Sequence, residues 1–550
     1  RIEGMVMRVR LTGGHLYDPR AGEAGVVRDL DLVDGRISTK PGDPDEILDI
    51  ADCVVMAGGI DAHTHIGGGK VNIARMMLPE IQRSEDPMAV ATTGEAGLRY
   101  LEMGYTACFE PAMMPTNARQ VHMEFADTPF VDKGAYVMLG SDDLLLRMMR
   151  DGADFEQVKD YVAWTMTAAR ALAVKVVNPG GINAFKFNQR KLDLDEQNQH
   201  YGVTPREVLG TLSRAVHELG VVHPLHIHGC NLGVPGNVET TAESIRAPEG
   251  RPGHFTHLQF HSYGTEGDFK FSSGAAELAE LVNKHPNVSI DVGQIMFGQT
   301  VTESGDAMHQ HAGCKHAHPN KWTIMDIECH AGCGVVPFRY RDKNFVNALQ
   351  WAIGLELFLL VEDPWRVFLT TDHPNGAPFT SYPHLIKLLC DKSFRDEQFR
   401  RLHPEAQKMS VLPSIQREYT IEEIAIMTRA APAKSLGLTN MGHLGHGAQA
   451  DVVVYRPHED LERMFGTPHM VFKDGVLAVR DGQLTEAGAL LPGGATHAAA
   501  VDYNADIERQ LTRWFDDHYT MRAASLMIDE DEITGFGRGR LKQYKAKRSA

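Results

Sequence analysis

The middle of the chain alternates short apolar segments with longer amphipathic ones, and this pattern constrains the fold more than any other feature of the sequence. It runs from Asp86 to about Leu436, and examples are YTACFEP, VKDYVAWTMTAARALAVKVVNPGG and VHPLHIHGCN. Strands that alternate with helices pair in parallel, because each helix returns the chain to the same edge of the sheet. The sequence therefore predicts an α/β fold, and we expect residues 58–436 to form a (β/α)8 barrel of the TIM type.

Both ends of the chain are rich in short strands. MRVRLTGGHLYDP and VVRDLDLVDGRI precede the barrel, and MGHLGHGAQADVVVYRP and MVFKDGVLAVRDGQL follow it. We expect residues 5–57 and 437–495 to form one small β-sandwich. Residues 496–550 are predicted to be a C-terminal helical extension, with a helix over Asp506–Arg522 and a solvated basic tail, RGRLKQYKAKR. Residues 1–4, Arg-Ile-Glu-Gly, resemble a protease-site remnant from an expression vector and are not assigned to a domain.

The composition excludes several classes of protein. The net charge of −17 argues against a nucleic-acid partner, because binding phosphates requires clustered Lys and Arg. No apolar stretch approaches the ~18 residues of a membrane-spanning helix and no secretory segment is evident, so we expect a cytoplasmic protein without a membrane partner. The seven scattered cysteines indicate reduced thiols rather than disulfides. Cys329 and Cys333 lack a second cysteine pair, so a zinc knuckle is not predicted.

The strongest chemical signal is the pair His63 and His65 in DAHTH, which follows an apolar strand. Residues i and i+2 of a strand project to the same face, so both imidazoles can reach one ion. Imidazole nitrogen suits zinc and similar divalent metals. The alternative is two ordinary histidines near a strand end, and it weakens because later strands carry further candidate ligands.

Lys175 stands in the apolar run LAVKVVNPGG, where burying an ammonium without a partner is costly. One explanation is carboxylation by CO2, which converts the amine into a carbamate anion able to bridge two cations. The other is a side chain that extends to solvent at the barrel mouth. Lys186 in AFKFN is a weaker candidate for the same role.

Two further strand-like segments carry histidine pairs. In PLHIHGCNLG we favour His228 over His226 as a metal ligand, because it is nearer the C-terminal end of the strand, where barrel sites gather. In FTHLQFHSYG, His257 and His261 share a face if the strand is regular, so periodicity does not choose between them; we favour His257. The unchosen histidines are expected to support the ligands, face the substrate or lie in the core.

Asp372 ends the apolar strand WRVFLTTDHPNG. A carboxylate at the mouth of the last barrel strand can bind metal and take a proton from the attacking water, whereas an isolated Thr-Asp turn would be a helix cap or Asx turn. We therefore predict Asp372 as metal ligand and catalytic base. Asn178, Asn231 and His373 are predicted to contact the substrate.

These residues resemble the amidohydrolase superfamily. More narrowly, DAHTHIGGGKVN, VKVVNPGG, HIHGCNLGVPGN, THLQFHSYGTEGDF, NVSIDVGQIMFG, NALQWAIGLEL and DPWRVFLTTDHPNGAPFTSYP are similar to the A component of formylmethanofuran dehydrogenases, from about Arg8 to about Arg480. The segment ECHAGCG favours the bacterial branch of this family, the formyltransferase/hydrolase complexes.

The resemblance implies an enzyme that interconverts an N-formyl furan coenzyme (methanofuran or methylofuran type) and formate plus the free amine. It implies two divalent metal ions, expected to be zinc, and a carboxylated Lys175. It also implies a formyltransferase partner and two further subunits. The metal ligands carried over are His63, His65, Lys175, His228, one of His257 and His261, and Asp372. Alternative predictions are a hydrolase of cyclic amides or N-acyl amino acids, and an inactive scaffold with the same fold.

Overall fold

The computed structural model describes residues 8–78, 92–181, 184, 189, 191–304, 314–325, 333–535 and 539–546. The first group of strands is β1 (Arg8–Thr12), β2 (His15–Asp18), β3 (Glu23–Val27), β4 (Leu30–Val33), β5 (Arg36–Ser38), β6 (Glu46–Asp49) and β7 (Val54–Ala57). The second is β8 (Gly59–Asp61), β9 (Tyr105–Met113), β10 (Asp132–Met138), β11 (Ala173–Val177), β12 (Leu225–His228), β13 (Gly253–Phe255), β14 (Tyr263–Gly264), β15 (Ser272–Ser273) and β16 (Val288–Asp291). Then come β17 (Gly298–Ser304), β18 (Thr323–Met325), β19 (Cys333–Tyr340), β20 (Val367–Phe368), β21 (Val452–Tyr455), β22 (Met470–Lys473), β23 (Val476–Arg480), β24 (Gln483–Leu484), β25 (Ala495–Ala500) and β26 (Arg540–Lys545).

The α-helices of the described residues connect these strands or follow them. They are Gly69–Met76, Thr93–Glu102, Ala118–Asp127, Asp143–Arg150, Phe155–Ala168, Pro205–Glu218, Asn237–Arg246, Ala275–Lys284, Phe345–Leu360, Tyr382–Cys390, Lys392–Arg400, Pro404–Met409, Ile421–Ala425, Ala431–Ser435, Leu461–Gly466, Glu486–Ala489, Asp506–His518 and Glu530–Thr534. None of the helices in the described part of the chain is long and apolar enough to cross a membrane.

Eight parallel strands form the barrel, which confirms the predicted fold class. The strands β8, β9, β10, β11, β12, β13, β16 and β20 pair in that order. A parallel bridge between Thr64 and His373 joins the end of the first strand to the end of the last. All five residues of Ala173–Val177 are buried, as expected for a parallel strand with helices on one face and a packed interior on the other. The C-terminal ends of the eight strands therefore meet at one mouth.

The two ends of the chain form one β-sandwich, as predicted. One sheet has the strand order β5-β4-β1-β6, and the other has the order β24-β23-β22-β21-β7-β2-β3. The ends join through the antiparallel pair β7 and β21, in which Val55 lies opposite Val454. Side chains of both sheets, including Leu11, Leu32 and Phe472, form an apolar core separate from that of the barrel.

The C-terminal extension contains strands as well as helices. The helix Asp506–His518 lies within the predicted segment. The basic residues Arg540–Lys545 form β26, which pairs with β25 over six residue pairs. These residues are therefore part of a sheet, although their side chains are exposed or half-buried, as expected for a solvated tail.

Strand β25 lies at the end of the barrel opposite the mouth. Lys133 and Gly134 of β10 pair with β25, whereas Tyr136–Met138, at the other end of β10, pair with β11. β25 thus fills the gap between β10 and β11 where these two strands begin. The strand is buried over Ala495–Ala499.

Asp132, at the start of β10, joins the barrel to the sandwich and to the extension. Its buried carboxylate accepts a hydrogen bond from the Ala495 N–H at 2.6 Å and lies 3.3 Å from Nζ of Lys473, a sandwich residue. Nζ of Lys542 in β26 lies 3.6 Å away. Burial disfavours the charged carboxyl, but Lys473 above all outweighs this and holds the pKa of Asp132 well below its usual value.

A small sheet with the strand order β17-β19-β18 lies at the barrel mouth, and it was not predicted from the sequence. It is inserted between the seventh and eighth barrel strands. The Thr300 hydroxyl donates to the Pro374 carbonyl, and the Glu303 N–H donates to Oδ1 of Asn375 at 2.7 Å. These bonds attach the sheet to the loop that follows β20. Cys329 and most of the ECHAGCG segment lie outside the described residues.

Candidate metal centre

His63, His65 and Asp372 meet at the barrel mouth. The histidines follow the first barrel strand, which ends at Asp61, and Asp372 follows the last. The Nε2 atoms of His63 and His65 lie 2.9 and 3.2 Å from Oδ1 of Asp372. All three side chains are buried. Two imidazole nitrogens and a carboxylate oxygen in this arrangement can bind one divalent metal ion.

A second group consists of His228, His257 and His261. Their candidate ligand atoms lie within 4.8 Å of one another, and His257 forms a similar group with His63 and Asp372. Among the described residues no hydrogen-bond partner exists for Nε2 of His228, Nδ1 of His257 or either ring nitrogen of His261. Buried polar atoms without partners are costly, so these nitrogens are suited to a metal ion.

The charge states of these side chains also suit a metal. Burial lowers the pKa of His228 and of His257 well below the usual value and keeps both rings neutral. Burial disfavours the Asp372 carboxylate, but His257 and His63 outweigh this effect and hold its pKa well below the usual range. Neutral imidazole and ionised carboxylate are the forms that bind metal. The charge states of His228, His257 and Asp372 therefore fit a divalent metal ion, whereas His65, whose pKa is raised to about 9, must lose a proton to bind one.

Lys175 lies in the middle of β11, and its side chain is only 2% exposed. This burial excludes the alternative in which the side chain reaches solvent. Burial lowers the pKa of Lys175 to about 8, although Asp372 and Asp291 favour its charged form. In the pairing of β11 with β12, Lys175 lies opposite His226, two residues before the candidate ligand His228. Lys186, the weaker candidate, lies outside the described residues.

His257 and His261 do not lie on a strand, so the interpretation that they share one strand face is wrong. The strand β13 ends at Phe255. His257 then adopts a left-handed conformation with φ of 34°, and His261 ends the 3-10 helix Leu258–His261. The sharp turn at His257 brings both rings towards His228, with ring centroids 4.5 and 5.2 Å away.

Glu110, which sequence reasoning missed, holds His65 in place. Its Oε1 accepts from Nδ1 of His65 at 2.9 Å, and its Oε2 accepts from the N–H of Ile66 at 2.8 Å. Burial alone would lower the pKa of His65, but the charge of Glu110 raises it to about 9. The signal in the sequence was available, because Glu110 follows the apolar residues YTACF as Asp372 follows WRVFLTT.

Asp291 was also not predicted from the sequence, and its carboxylate holds candidate metal ligands in place. Its carboxylate accepts hydrogen bonds from the His257 N–H at 2.7 Å and from Nε2 of His254 at 3.0 Å. It also lies 3.4 Å from Nδ1 of His63. With His63 and His226 it forms a third cluster with ligand-like spacing. We assign His226 a supporting position, because its Nε2 lies 2.9 Å from Nδ1 of His63, leaving the other nitrogen of His63 to face Asp372.

The three predicted substrate contacts lie in different settings. His373 is buried next to Asp372, and Asn178 is a buried residue that follows β11. The side chain of Asn231 accepts from the Leu192 N–H and donates to Asp193, so in this structure it holds a loop. Contact of these residues with a substrate stays a prediction.

Buried histidine, lysine and aspartate side chains lie at the mouth of a parallel eight-stranded barrel. This arrangement is typical of a hydrolase whose active site is built on a barrel. The amidohydrolase family matches residues 46–484, and the chain belongs to this family. The resemblance seen in the sequence is thereby confirmed.

Two relatives and one solved structure are similar to this chain over most of its length. The A component of the formyltransferase/hydrolase complex Fhc from Methylorubrum extorquens is 43% identical over 527 residues, covering 93% of this chain and 95% of that protein. Protein FwdA of Methanocaldococcus jannaschii is 40% identical over 509 residues, covering 87% of this chain and 89% of FwdA. The X-ray structure of FhcABCD from Methylorubrum extorquens in complex with methylofuran contains a chain that matches with a TM-score of 0.93 and 40% identity, covering 98% of this chain and 100% of that chain.

Proposed function

We propose that the chain hydrolyses an N-formyl furan coenzyme, of the formylmethanofuran or formylmethylofuran type, to formate and the free amine in one-carbon metabolism. The observation that carries this proposal is the cluster of buried, unpaired histidine nitrogens beside Asp372 at the barrel mouth. The relatives suggest the substrate class, because one belongs to a formyltransferase/hydrolase complex and the structure of that complex was solved with methylofuran.

The proposed centre holds two divalent ions, which we expect to be zinc. His63, His65 and Asp372 are the proposed ligands of one ion, and His228 and His257 those of the other. His261 is the alternative to His257, which is favoured because it belongs to both groups of donors. When bound, the ions supply Lewis acidity for the formyl group and lower the pKa of the attacking water.

Lys175 is proposed to be carboxylated, and its carbamate would supply an anionic ligand to the two proposed metal ions. The support is its position in the middle of β11, buried and under the electrostatic influence of Asp372. A buried side chain with a negative charge would be compensated there by cations, whereas a buried ammonium beside two cations would not.

Asp372 is the proposed proton acceptor. Its carboxylate is ionised and held by two imidazoles, so it can accept a proton from the attacking water. It then delivers that proton to the leaving amine nitrogen as the C–N bond breaks. General acid–base catalysis of this kind contributes roughly 10²–10⁴-fold to the rate.

His373 is proposed to donate a hydrogen bond to the substrate. Burial, followed by the influence of His65, lowers its pKa to about 3 and keeps the ring neutral. Its Nδ1 accepts from the Phe379 N–H at 3.2 Å, so the ring proton lies on Nε2. The Nε2–H group can therefore bind a substrate oxygen but cannot act as a cation.

We further propose that the chain assembles with three other subunits, one of which is a formyltransferase. The support is the relative, whose structure is that of a formyltransferase/hydrolase complex named FhcABCD. The candidate docking elements are the helix predicted over Asp506–Arg522, which the structure has at Asp506–His518, and the basic tail after Gly537, which includes β26. Both lie outside the catalytic centre.

The function is tested by measuring metal content and formate release with formylated methylofuran and with N-formylfurfurylamine. We expect the metal-loaded protein to release formate and the chelated protein to lose this activity. Preferential hydrolysis of a cyclic amide or an N-acyl amino acid would favour the alternative enzyme. Purification without stoichiometric metal would favour the inactive scaffold.

The role of Asp372 is tested with Asp372→Asn, which keeps a ligand oxygen but cannot accept a proton near neutral pH. We expect most of the metal to be retained and formate release to slow at least ~10²-fold. Asp363→Asn is the matched control, because Asp363 caps a 3-10 helix, a role that Asn also fills, and its other contact is a partly exposed ion pair with Arg366 at 3.2 Å. Normal turnover in Asp372→Asn with confirmed metal content would assign the base to another group.

A further inference from the structure

Glu303, on β17 of the inserted sheet, is a buried carboxylate without a hydrogen-bond partner. It is 4% exposed, and neither Oε1 nor Oε2 has a partner among the described residues. The charged or titratable groups that act on it most are Lys70, His65, Glu110 and Asp372. Glu303 shares a face of β17 with Val301, which packs against Ala74 of the helix Gly69–Met76, and its N–H bonds to Asn375, three residues after Asp372. The carboxylate therefore lies at the barrel mouth, near the candidate metal centre.

The position of Glu303 is fixed relative to Asp372. Its N–H donates to the side-chain oxygen of Asn375 at 2.7 Å. Asn375 in turn donates its own N–H to the Asp372 carbonyl at 2.7 Å, and its carbonyl accepts from the Tyr340 hydroxyl at 3.0 Å. The inserted sheet and the loop that follows β20 therefore hold the two carboxylates in a fixed relation to each other.

Burying a carboxylate without hydrogen-bond donors costs free energy. We therefore expect the Glu303 carboxylate to accept a hydrogen bond from a ligand when the site is occupied. Burial raises the pKa of Glu303, although Lys70 favours its charged form without hydrogen-bonding to it. The proposed metal ions and His373 would bind the formyl oxygen of the substrate. They would not bind the N–H group on the formamide nitrogen. Hydrolysis gives this nitrogen one proton through Asp372 as the C–N bond breaks, and the acidic proton of the formic acid that forms then converts the amine into an ammonium ion beside formate.

We infer that Glu303 binds the reacting nitrogen: it accepts a hydrogen bond from the formamide N–H of the substrate and, after C–N cleavage, from the ammonium group of the product. The site then selects formamides that keep an N–H over N,N-disubstituted ones, and it retains the amine product as a cation. This inference rests on the proposed function for the identity of the substrate.

The test compares wild type with Glu303→Gln and Glu303→Ala, each with its metal content measured. Furfurylamine is used as a product-like inhibitor, and furfuryl alcohol is its uncharged equivalent of similar shape. We expect Glu303→Gln to raise the inhibition constant of furfurylamine at least ~10-fold, because a charged hydrogen bond is lost. The inhibition constant of furfuryl alcohol should not change.

Substrate selectivity gives the second measurement. The ratio of kcat/KM for N-formylfurfurylamine to that for its N-methyl derivative is expected to fall at least ~10-fold in Glu303→Ala. Glu356→Gln is the matched control: Glu356 is a buried glutamate whose partners are Ser273, Ser410 and the Val411 N–H, away from the centre. Both readouts should be as in wild type for this control.

Two results would overturn the inference: an unchanged inhibition constant for furfurylamine in Glu303→Gln, or unchanged selectivity in Glu303→Ala. Failure of the proposed function has a different signature, namely wild-type protein that releases no formate from N-formylfurfurylamine. In that case calorimetric binding of furfurylamine to metal-loaded wild type, compared with Glu303→Gln, still decides whether Glu303 binds an amine.

Discussion

Glu110→Gln is expected to weaken metal binding by displacing His65. In the structure Oε1 of Glu110 accepts from Nδ1 of His65 and from the Ala112 N–H at 3.0 Å, while Oε2 accepts from the Ile66 N–H and from the Gly67 N–H at 3.1 Å. Glutamine has only one oxygen. Whichever way its amide is oriented, two buried donors then face an NH2 group.

The cost follows from these contacts. Each buried donor left without an acceptor costs about 1–3 kcal/mol, so the substituted site loses about 2–6 kcal/mol before relaxation. Relaxation requires the His65 ring or the Ile66–Gly67 backbone to move. Loss of a carboxylate that orients a metal-binding histidine typically lowers metal affinity 10–100-fold, and we expect a loss in this range.

The assay is competition for zinc with a chelator of known affinity, performed on wild type, Glu110→Gln and Glu356→Gln. The control tests the same chemical change at another buried glutamate, where two of the partners are hydroxyl groups that can rotate to accept from an amide. Its zinc affinity should equal that of wild type. A wild-type zinc affinity in Glu110→Gln would refute the claim that Glu110 positions a metal ligand.

Three further predictions concern Lys175, Asp132 and the C-terminal strand. Lys175→Ala should lower metal occupancy, with partial rescue by short carboxylic acids; an unmodified ammonium in a metal-replete crystal would contradict carboxylation. Asp132→Asn should cost about 3–5 kcal/mol of unfolding free energy in urea at neutral pH, because it leaves Lys473 with one of its buried partners neutral. Since the folded-state pKa of Asp132 is depressed, its contribution is present above the unfolded-state pKa and is lost as the pH falls towards the folded-state value, so the two proteins should converge in acid. Deleting residues after Ala500 removes all six residue pairs of β25 with β26 and should lower the melting temperature; complete complex assembly by this truncated chain in size-exclusion chromatography would exclude the deleted elements as docking sites.

Side chains on regular strands could be predicted from the sequence because strand geometry fixes their direction. His63, Lys175 and His228 lie on or directly after barrel strands, and the C-terminal ends of these strands meet at one mouth of the barrel. The arrangement of His257 and His261 could not be predicted, because it depends on one left-handed residue rather than on periodicity.

The position of Glu303 on the inserted sheet also could not be predicted from the sequence. Glu303 gains its place through pairing of β17 with β19 and through a bond to Asn375, a residue 72 positions away. No local pattern reports such contacts. Glu110 and Asp291 are different: Glu110 follows the apolar first half of β9 and Asp291 ends β16, so both could have been predicted by the reasoning that identified Asp372.

The place of β25 has a consequence for how the chain folds. The hydrogen bond from Ala495 to Asp132 joins residues 363 positions apart, so most of the polypeptide must leave the ribosome before this bond forms. Until then the lower edge of β10 is an unpaired strand edge, which invites pairing with other chains. Closing so long a loop is also slow compared with forming local helices. The barrel is therefore expected to be completed only after residue 495 has been synthesised, and residues before and after this position are expected to fold as one cooperative unit.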